Sequence, residues 1–319
     1  MNLFGHGLGF GCSHITGGFE TRSNIRLLRS AYDLGLRYFD TAPLYGHGTS
    51  EQVVGQAFRE DRHHIVIATK VGIPHPMLTR RKQIVRYLAQ PLRRWFPAVS
   101  KKAVSQIYRS RPATDFSWPS MQKSIERSLR NLRTDYIDLL LLHEVRASDL
   151  SDEMKKGLDE VVAQGKVRRL GLGTGVPEIR EIEERGHQFE VYQRPWSIFV
   201  PDEDAFSHKY QIFHGAIGRS IDAIATRLRE DPALCMSVQE VSGMRCNSVE
   251  DVAKILLSTS LAANASGMTL FSSRRSARVE SYIRFVQEYD SDRRGRKLVQ
   301  LFRSQDTTTK ASSNRSCFQ

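Results

Sequence analysis

Short apolar runs alternate with longer amphipathic stretches along nearly the whole chain, and this alternation restricts the fold more than any other feature. Such alternation is typical of repeated βα units around a parallel sheet. The chain has eight apolar runs that could form strands, a number that favours the α/β class and a (β/α)8 TIM barrel over an open sheet. The predicted strands lie around Leu8 to Phe10 and begin at Leu36, Ile65, Tyr136, Arg168, Phe189, Tyr210 and Met268.

Helical patterns fill the stretches between these runs, and several begin with serine and end with glycine. Serine is a common helix N-cap, and glycine is common just beyond a helix C-terminus. We therefore predict one barrel domain over residues 1–303. Residues 304–319 have almost no apolar content and no periodicity, so we predict a flexible tail there. The clearest helical patterns are TRSNIRLLRSAYDLG, SEQVVGQAF, SMQKSIERSLRNL and SDEMKKGLDEVVAQG.

A long basic insert, residues 73–118, follows the third predicted strand and breaks this rhythm. It contains ten lysines and arginines against the single acid Asp115. An insert of this length is usually functional or mobile, and we favour a lid over the substrate pocket. Aromatic residues such as Tyr87 and Trp95 alternate with arginines there, which leaves base stacking as an alternative. The amphipathic stretch RRKQIVRYLAQPLRRWF leaves a partner-binding or membrane-surface helix as another.

Charge and cysteine content restrict the partners and the compartment. The formal net charge of +12 suits an anionic cofactor, an acidic substrate or a nucleic acid. Cys12, Cys235, Cys246 and Cys317 have no metal-ligand spacing, so the sequence predicts neither a disulfide framework nor a zinc site. We therefore expect a reducing cytoplasm. The N-terminus does not resemble a signal peptide, and no segment reaches the length needed to cross a membrane.

Four ionisable side chains follow the ends of predicted strands: Asp40, Tyr45, Lys70 and His143. Each one alone has an ordinary structural explanation, such as a solvated strand end. In a parallel barrel, however, all these positions face one mouth. A nearby ammonium favours the ionised form of a tyrosine and lowers its pKa, so the group would be able to protonate a carbonyl oxygen.

The sequence resembles the aldo-keto reductase family over about its first two thirds. The resemblance is carried by FDTAPLYGHGTSEQVVGQAF, IATKVG, SIERSLRNLRTDYIDLLLLHEV and GKVRRLGLGTG. It implies hydride transfer between NADP(H) and an aldehyde or ketone without a metal. It assigns Tyr45 as general acid/base, Lys70 as the residue that tunes its pKa, Asp40 as the partner of Lys70, and His143 as the group that orients substrate. The insert and the phrase DFSWPSMQKSIERSLRNLRTDYIDLLLLHE are similar to the branch acting on sugars.

The resemblance also implies a set of cofactor contacts. Gly173 and Thr174 stand where the family has a Ser-Asn pair for the nicotinamide amide, so that anchor is expected to be weaker. Gln193 fits the family's glutamine on the sixth strand. Phe213 is the best match for its stacking tyrosine. The adenosine phosphate would be bound after the eighth strand by Ser272, Ser273, Arg274 and Arg278. The presence of these phosphate-binding side chains favours NADP over NAD.

Two further points follow from the resemblance. A regulatory protein of the same fold, which binds NADPH but turns over slowly, is the alternative function, and the departure at Gly173 and Thr174 favours it. The chain also begins close to its first strand, so the hairpin that commonly closes the barrel bottom is expected to be missing. Substrate identity, reaction direction and oligomeric state are left open, and the sequence favours a small carbonyl or sugar substrate over a nucleic acid.

Overall fold

Eight parallel strands close into a barrel in chain order, with β8 hydrogen-bonded to β1. The computed structural model describes residues 7–74, 113–200, 203–289 and 293–304. The predicted (β/α)8 TIM barrel is therefore confirmed, including the strand expected at Tyr210. The strands are β1 Leu8–Gly11, β2 Tyr38–Asp40, β3 Val66–Val71, β4 Leu139–His143, β5 Leu170–Gly173, β6 Val191–Pro195, β7 Tyr210–His214 and β8 Met268–Phe271.

Helices surround the barrel, and three of them fall between β7 and β8, where a simple repeat has one. Side-chain caps fix several helix starts: the Ser151 hydroxyl, for example, accepts a hydrogen bond from the backbone N–H of Met154 at 3.2 Å. Residues 293–304 form a further helical segment. The helices are α1 Thr21–Asp33, α2 Ser50–Ala57, α3 Trp118–Leu132, α4 Asp152–Ala163, α5 Val176–Glu184, α6 Ile221–Glu230, α7 Pro232–Ser242, α8 Val249–Ala263 and α9 Ser276–Glu288.

Strand alternation divides the core into a lumen and an outer layer. The lumen holds one apolar cluster, which includes Tyr38, Leu141, Ile212 and Leu270. Gly9 makes room for it, because a Cβ there would lie 2.8 Å from the Tyr38 ring. The residues between these positions point outward and pack under the helices in two larger clusters. The parity of a residue, meaning its odd or even position along the strand, therefore decides whether its side chain points toward the barrel axis or outward.

The second outer cluster lies beneath α6, α7, α8 and the helical segment 293–304. In this region Cys235 of α7 forms a disulfide with Cys246, eleven positions later. The prediction that the cysteines form no disulfide was therefore wrong. Spacing alone could not find the pair, because the turn that follows α7 is what brings the two sulfurs together.

Several predictions fall on residues outside the described ranges. Most of the basic insert lies at 75–112, and nearly all of the expected tail lies at 305–319. The first six residues also lie outside. Within the described residues, no helix is both long and apolar enough to cross a membrane.

Candidate active site

A buried ion pair lies at the carboxyl end of the barrel. The Nζ of Lys70 donates to both carboxylate oxygens of Asp40, at 2.7 and 2.6 Å, and to the carbonyl of Thr41 at 3.0 Å. Both side chains are almost completely buried. Burial lowers the pKa of Lys70, and the Asp40 carboxylate opposes that shift. The ammonium thus has its donors occupied by Asp40 and Thr41, at the carboxyl end of β2.

Tyr45 lies beside this pair. The Nζ of Lys70 is 5.1 Å from the centroid of the Tyr45 ring. The loop bearing Tyr45 is pressed against the loop after β1, because Gly46 has a φ of 57° and a Cβ there would lie 1.9 Å from the carbonyl oxygen of Ile15. Thr49 ties the same loops together by accepting the N–H of Gly17 and donating to the carbonyl of Gly46. The position of the phenol is therefore set by backbone packing.

His143, at the end of β4, completes the predicted group of four. Its ring centroid lies 6.3 Å from that of Tyr45, with the ring planes at 89°. Burial, followed by the ammonium of Lys70, holds the pKa of His143 well below its usual value. The imidazole is therefore neutral at neutral pH, where it offers one N–H donor and one acceptor. The structure brings Asp40, Tyr45, Lys70 and His143 together.

A second histidine, His214, ends β7 with the same parity as Ile212, which lies in the lumen cluster. Burial, followed by Lys70 and Arg219, lowers the pKa of His214 to about 3. It also acts on His143, because its charge is among the causes that lower the pKa of that residue. Sequence analysis missed His214. The signal that could have found it is strand alternation, because His214 is two positions after Ile212 and so lies on the same face of β7, just beyond the end of the apolar run.

Phe213 does not face the mouth. It has the opposite parity, is fully buried, and stacks on Trp196 with centroids 5.8 Å apart and planes at 10°. The guanidinium of Arg194 lies 4.5 Å from its centroid. These contacts belong to the outer layer beneath α6 and α8. At the end of β7 the ring that faces the lumen is that of His214.

The ends of β5 and β6 bring Gly173, Thr174 and Gln193 to the mouth. Gly173 pairs with Gln193 across the sheet. A Cβ at position 173 would meet only ordinary contacts, the nearest at 3.5 Å, so the glycine leaves unused space there. The Thr174 hydroxyl is buried and has no hydrogen-bond partner among the residues the structure describes. The Nε2 of Gln193 donates to Oδ2 of Asp40 at 2.7 Å.

The polar residues after β8 line the other side of the mouth. The Ser272 hydroxyl donates to the carbonyl of Gly11 at 2.7 Å, which ties the end of β8 to β1. The Ser273 hydroxyl accepts from the backbone N–H of Arg275, just before α9 begins. Arg274 is exposed and lies near His14, since partial burial and then the charge of Arg274 lower the pKa of that histidine. Arg278 is half-buried in the first turn of α9.

Two other buried groups lie near the site. Cys12 is fully buried, and burial, with the nearby Asp40 carboxylate, raises the pKa of its thiol well above the usual value. It is therefore a protonated, weakly reactive thiol at neutral pH. In the ranges that can be described, no group of three or more acidic, histidine or cysteine side chains is placed to hold a metal ion.

Comparison with known sequences gives a family match. The model described as the aldo/keto reductase family matches residues 7–211. The uncharacterized oxidoreductase YqkF of Bacillus subtilis (strain 168) is 26% identical over 268 residues, which cover 79% of this chain and 76% of that protein. The D-threo-aldose 1-dehydrogenase of a Pseudomonas species is 30% identical over 184 residues, which cover 54% of this chain and 50% of that protein. The chain spans about half the length of several other curated relatives.

Solved structures share the fold at lower identity. The holo form of aldo-keto reductase AKR11C1 from Bacillus halodurans aligns with a TM-score of 0.66 and 21% identity, over 92% of this chain and 91% of that one. An aldo-keto reductase from Klebsiella pneumoniae, solved in complex with NADPH, aligns with a TM-score of 0.60 and 19% identity, over 92% and 89%. These alignments extend the fold similarity beyond residue 211, where the family match ends.

Proposed function

This chain belongs to the aldo/keto reductase family, and we propose that it is an NADP(H)-dependent oxidoreductase that interconverts a carbonyl compound and its alcohol. The observation that carries the proposal is the ammonium of Lys70, held between the Asp40 carboxylate and the ring of Tyr45. A phenol beside a buried ammonium is suited to exchange a proton with a carbonyl oxygen.

The residues at the mouth fit a nicotinamide cofactor. The hydroxyl of Thr174 has no hydrogen-bond partner in the described part of the chain, and it lies with the space beside Gly173 at the end of β5, where a carboxamide would find a partner. Ser272, Ser273 and the exposed Arg274 offer donors for a phosphate, and Arg278 adds charge in the first turn of α9. When bound, the reduced nicotinamide supplies a hydride. We propose that His214 provides the ring beside it.

The chain's own residues then handle the proton. In the reduction, the hydroxyl of Tyr45 gives its proton to the carbonyl oxygen, and the ammonium of Lys70 stabilises the phenolate left behind. Asp40 fixes Lys70 in place. His143 is neutral, so it donates a hydrogen bond to the same oxygen without competing as an acid. Oxidation of the alcohol uses the same groups in reverse.

We propose a small aldehyde, ketone or aldose as substrate. The basic composition of the chain favours an anionic or polyhydroxylated compound. An aldose dehydrogenase among the relatives supports a sugar. A nucleic acid is not part of the proposal.

A regulatory protein of the same fold is the second candidate. The observation that favours it is the engaged amide of Gln193, which donates to Asp40 opposite a residue 173 with no side chain. Both features weaken the expected hold on the nicotinamide. The two candidates differ in turnover, because each binds NADPH but only the enzyme oxidises it at a useful rate.

The test begins with titration of the purified protein by NADPH and NADH, followed by fluorescence. A panel of aldehydes, ketones and aldoses is then added and the absorbance of NADPH is recorded. We expect preferential binding of NADPH and turnover that is lost in Tyr45→Phe, while the binding of NADPH remains. Binding without turnover by any member of the panel would favour the regulator. If the native protein neither bound NADPH nor oxidised it with any member of the panel, both candidates would be refuted.

We also propose a cytoplasmic location, where NADPH is available. The Cys235–Cys246 disulfide is an argument against this location, because disulfides persist mainly in oxidising compartments. Fractionation of cells producing the full chain, combined with thiol labelling before lysis, tests it. Recovery of the protein in a secreted or periplasmic fraction would contradict it.

A further inference from the structure

The Asp40 carboxylate has a hydrogen-bond donor besides its lysine. Its Oδ1 accepts only from Lys70 among the contacts described, whereas its Oδ2 accepts from Lys70 at 2.6 Å and from the Nε2 of Gln193 at 2.7 Å. Asp40 and Gln193 are each 3% exposed. The contact joins β2 to β6 across the lumen, between residues 153 positions apart. It is therefore a buried hydrogen bond between two strands and not an exposed side-chain contact at the surface.

A neutral donor at this place has a specific electrostatic effect. The N–H dipole of Gln193 offsets part of the carboxylate charge, so Asp40 neutralises the ammonium of Lys70 less completely. More of the lysine charge then remains directed at Tyr45. The contact also fixes the plane of the carboxylate, because Lys70 on β3 holds both oxygens while Gln193 on β6 holds Oδ2 from the opposite side of the lumen.

The same contact limits what Gln193 can offer a cofactor. Its Nε2 gives one of its two N–H donors to Asp40, and its Oε1 lies 3.7 Å from the place a Cβ at residue 173 would take. One N–H donor and the amide oxygen are left for a nicotinamide carboxamide while the contact with Asp40 is kept. A role as cofactor anchor and a role as partner of Asp40 therefore predict different effects when the amide is removed.

We propose that Gln193 is a positioning residue of the proton-transfer site, which holds the Asp40 carboxylate so that Lys70 keeps its place and its charge beside Tyr45. The proposal rests on the proposed oxidoreductase function. The titratable groups at this end of the barrel come from several elements. Among the described residues they include Cys12, Asp40, Tyr45, Lys70, His143 and His214, together with Glu51, whose charge acts on Lys70, and Arg219, whose charge acts on His214.

The test removes the donor and keeps the volume with Gln193→Met. Gln193→Asn is a second variant, because its shorter side chain retains the amide but withdraws it from Asp40. Thr69→Val is the matched control. Thr69 is the neighbour of Lys70 on β3 but points outward, where its hydroxyl donates to the buried carboxylate of Glu51 at 2.7 Å. It removes one buried hydrogen bond to a carboxylate and leaves the hydrogen bonds among Gln193, Asp40 and Lys70 in place, and the charge of Glu51 is the smallest of the named influences on the pKa of Lys70.

Three quantities are measured for each protein: the Kd of NADPH by fluorescence, kcat at saturating NADPH, and the ionisation of Tyr45. The last is read from the ultraviolet absorbance of the phenolate as pH rises, after subtraction of the Tyr45→Phe variant. It needs neither cofactor nor turnover. Failure of the proposed function, with no turnover in the native protein, is therefore distinguishable from failure of this inference.

We expect both Gln193 variants to lower kcat by about tenfold to a hundredfold, the usual effect of losing a hydrogen bond to a charged group. The pKa of Tyr45 should rise, because Asp40 then neutralises Lys70 more fully, and the Kd of NADPH should stay unchanged. Thr69→Val should change none of the three. A raised Kd with kcat and the Tyr45 titration unchanged would assign Gln193 to the cofactor and overturn the proposal. Effects no larger than those of Thr69→Val would also overturn it.

Discussion

Gly46→Ala should displace the ring of Tyr45 while leaving its hydroxyl intact, so that the effect of its position can be measured apart from the chemistry of the phenol. A Cβ at residue 46 would lie 1.9 Å from the carbonyl oxygen of Ile15, whereas real Cβ atoms essentially never approach within 3.0 Å. The obstacle is backbone on both sides, so no side chain can rotate away. One of the two loops must move by at least about 1 Å, a displacement that can cost about a hundredfold in rate.

The substitution has a second, smaller cost that needs its own control. Gly46 has a φ of 57°, a conformation that an alanine adopts at about 1 kcal/mol. Gly165, beyond the end of α4, has a φ of 73°, and no atom lies within 4 Å of the place that the methyl group of an alanine would occupy there. Gly165→Ala therefore carries the conformational cost without the clash, at a place remote from the mouth.

The assay compares kcat/KM and the free energy of unfolding for the two variants and the native protein. We expect Gly165→Ala to lose about 1 kcal/mol of stability and no activity. Gly46→Ala should lose about a hundredfold in kcat/KM and more stability than Gly165→Ala. A Gly46→Ala protein with native kcat/KM would refute the claim that this contact positions Tyr45.

Three further predictions concern other features. Burial raises the pKa of Glu51 in the folded protein, so the stability that its protonated form contributes is complete below the unfolded pKa of 4.5 and is lost as pH rises through the folded pKa. In urea titrations, the unfolding free energy of the native protein should therefore fall relative to that of Glu51→Gln as pH rises across this window. Parallel pH dependences of the two proteins would contradict this prediction. Gly173→Ser fits the ordinary contacts at that site; we expect unchanged thermal stability and a lower Kd for NADPH, and an equal or higher Kd would show that the missing side chain is not the weak anchor. Reduction of the Cys235–Cys246 disulfide, or Cys235→Ser, should lower the unfolding free energy by about 2–3 kcal/mol for a loop of this length; a native protein unaffected by dithiothreitol would contradict this.

The barrel was predictable because each strand is a short apolar run and the helices between carry their own start and stop signals. Asp40, Lys70 and His143 were found for the same reason, since polar residues directly after apolar runs stand out. The three helices between β7 and β8 were not found. They have no strand between them to mark their limits, and their order follows from packing on the outer cluster.

The details that the sequence did not reveal depend on strand alternation and on contacts between residues distant in sequence. Phe213 was chosen as a stacking ring by its type, but strand alternation turns it outward and turns His214 to the lumen. The hydrogen bond from Gln193 to Asp40 joins residues far apart in the chain and leaves no local pattern. The disulfide between Cys235 and Cys246 likewise depends on the path of a turn.

The strict alternation along β3 has a consequence for how such a barrel can change over time. Thr69 and Lys70 are neighbours that serve opposite sides of the same wall, one donating to Glu51 and the other to Asp40. Inserting or deleting one residue within the strand would exchange their sides, leaving a hydroxyl in the lumen and an ammonium beneath α2. Lineages of this protein can therefore explore new chemistry by replacing residues in the strands or by lengthening the loops between them, while a change in strand length erases the site in a single step.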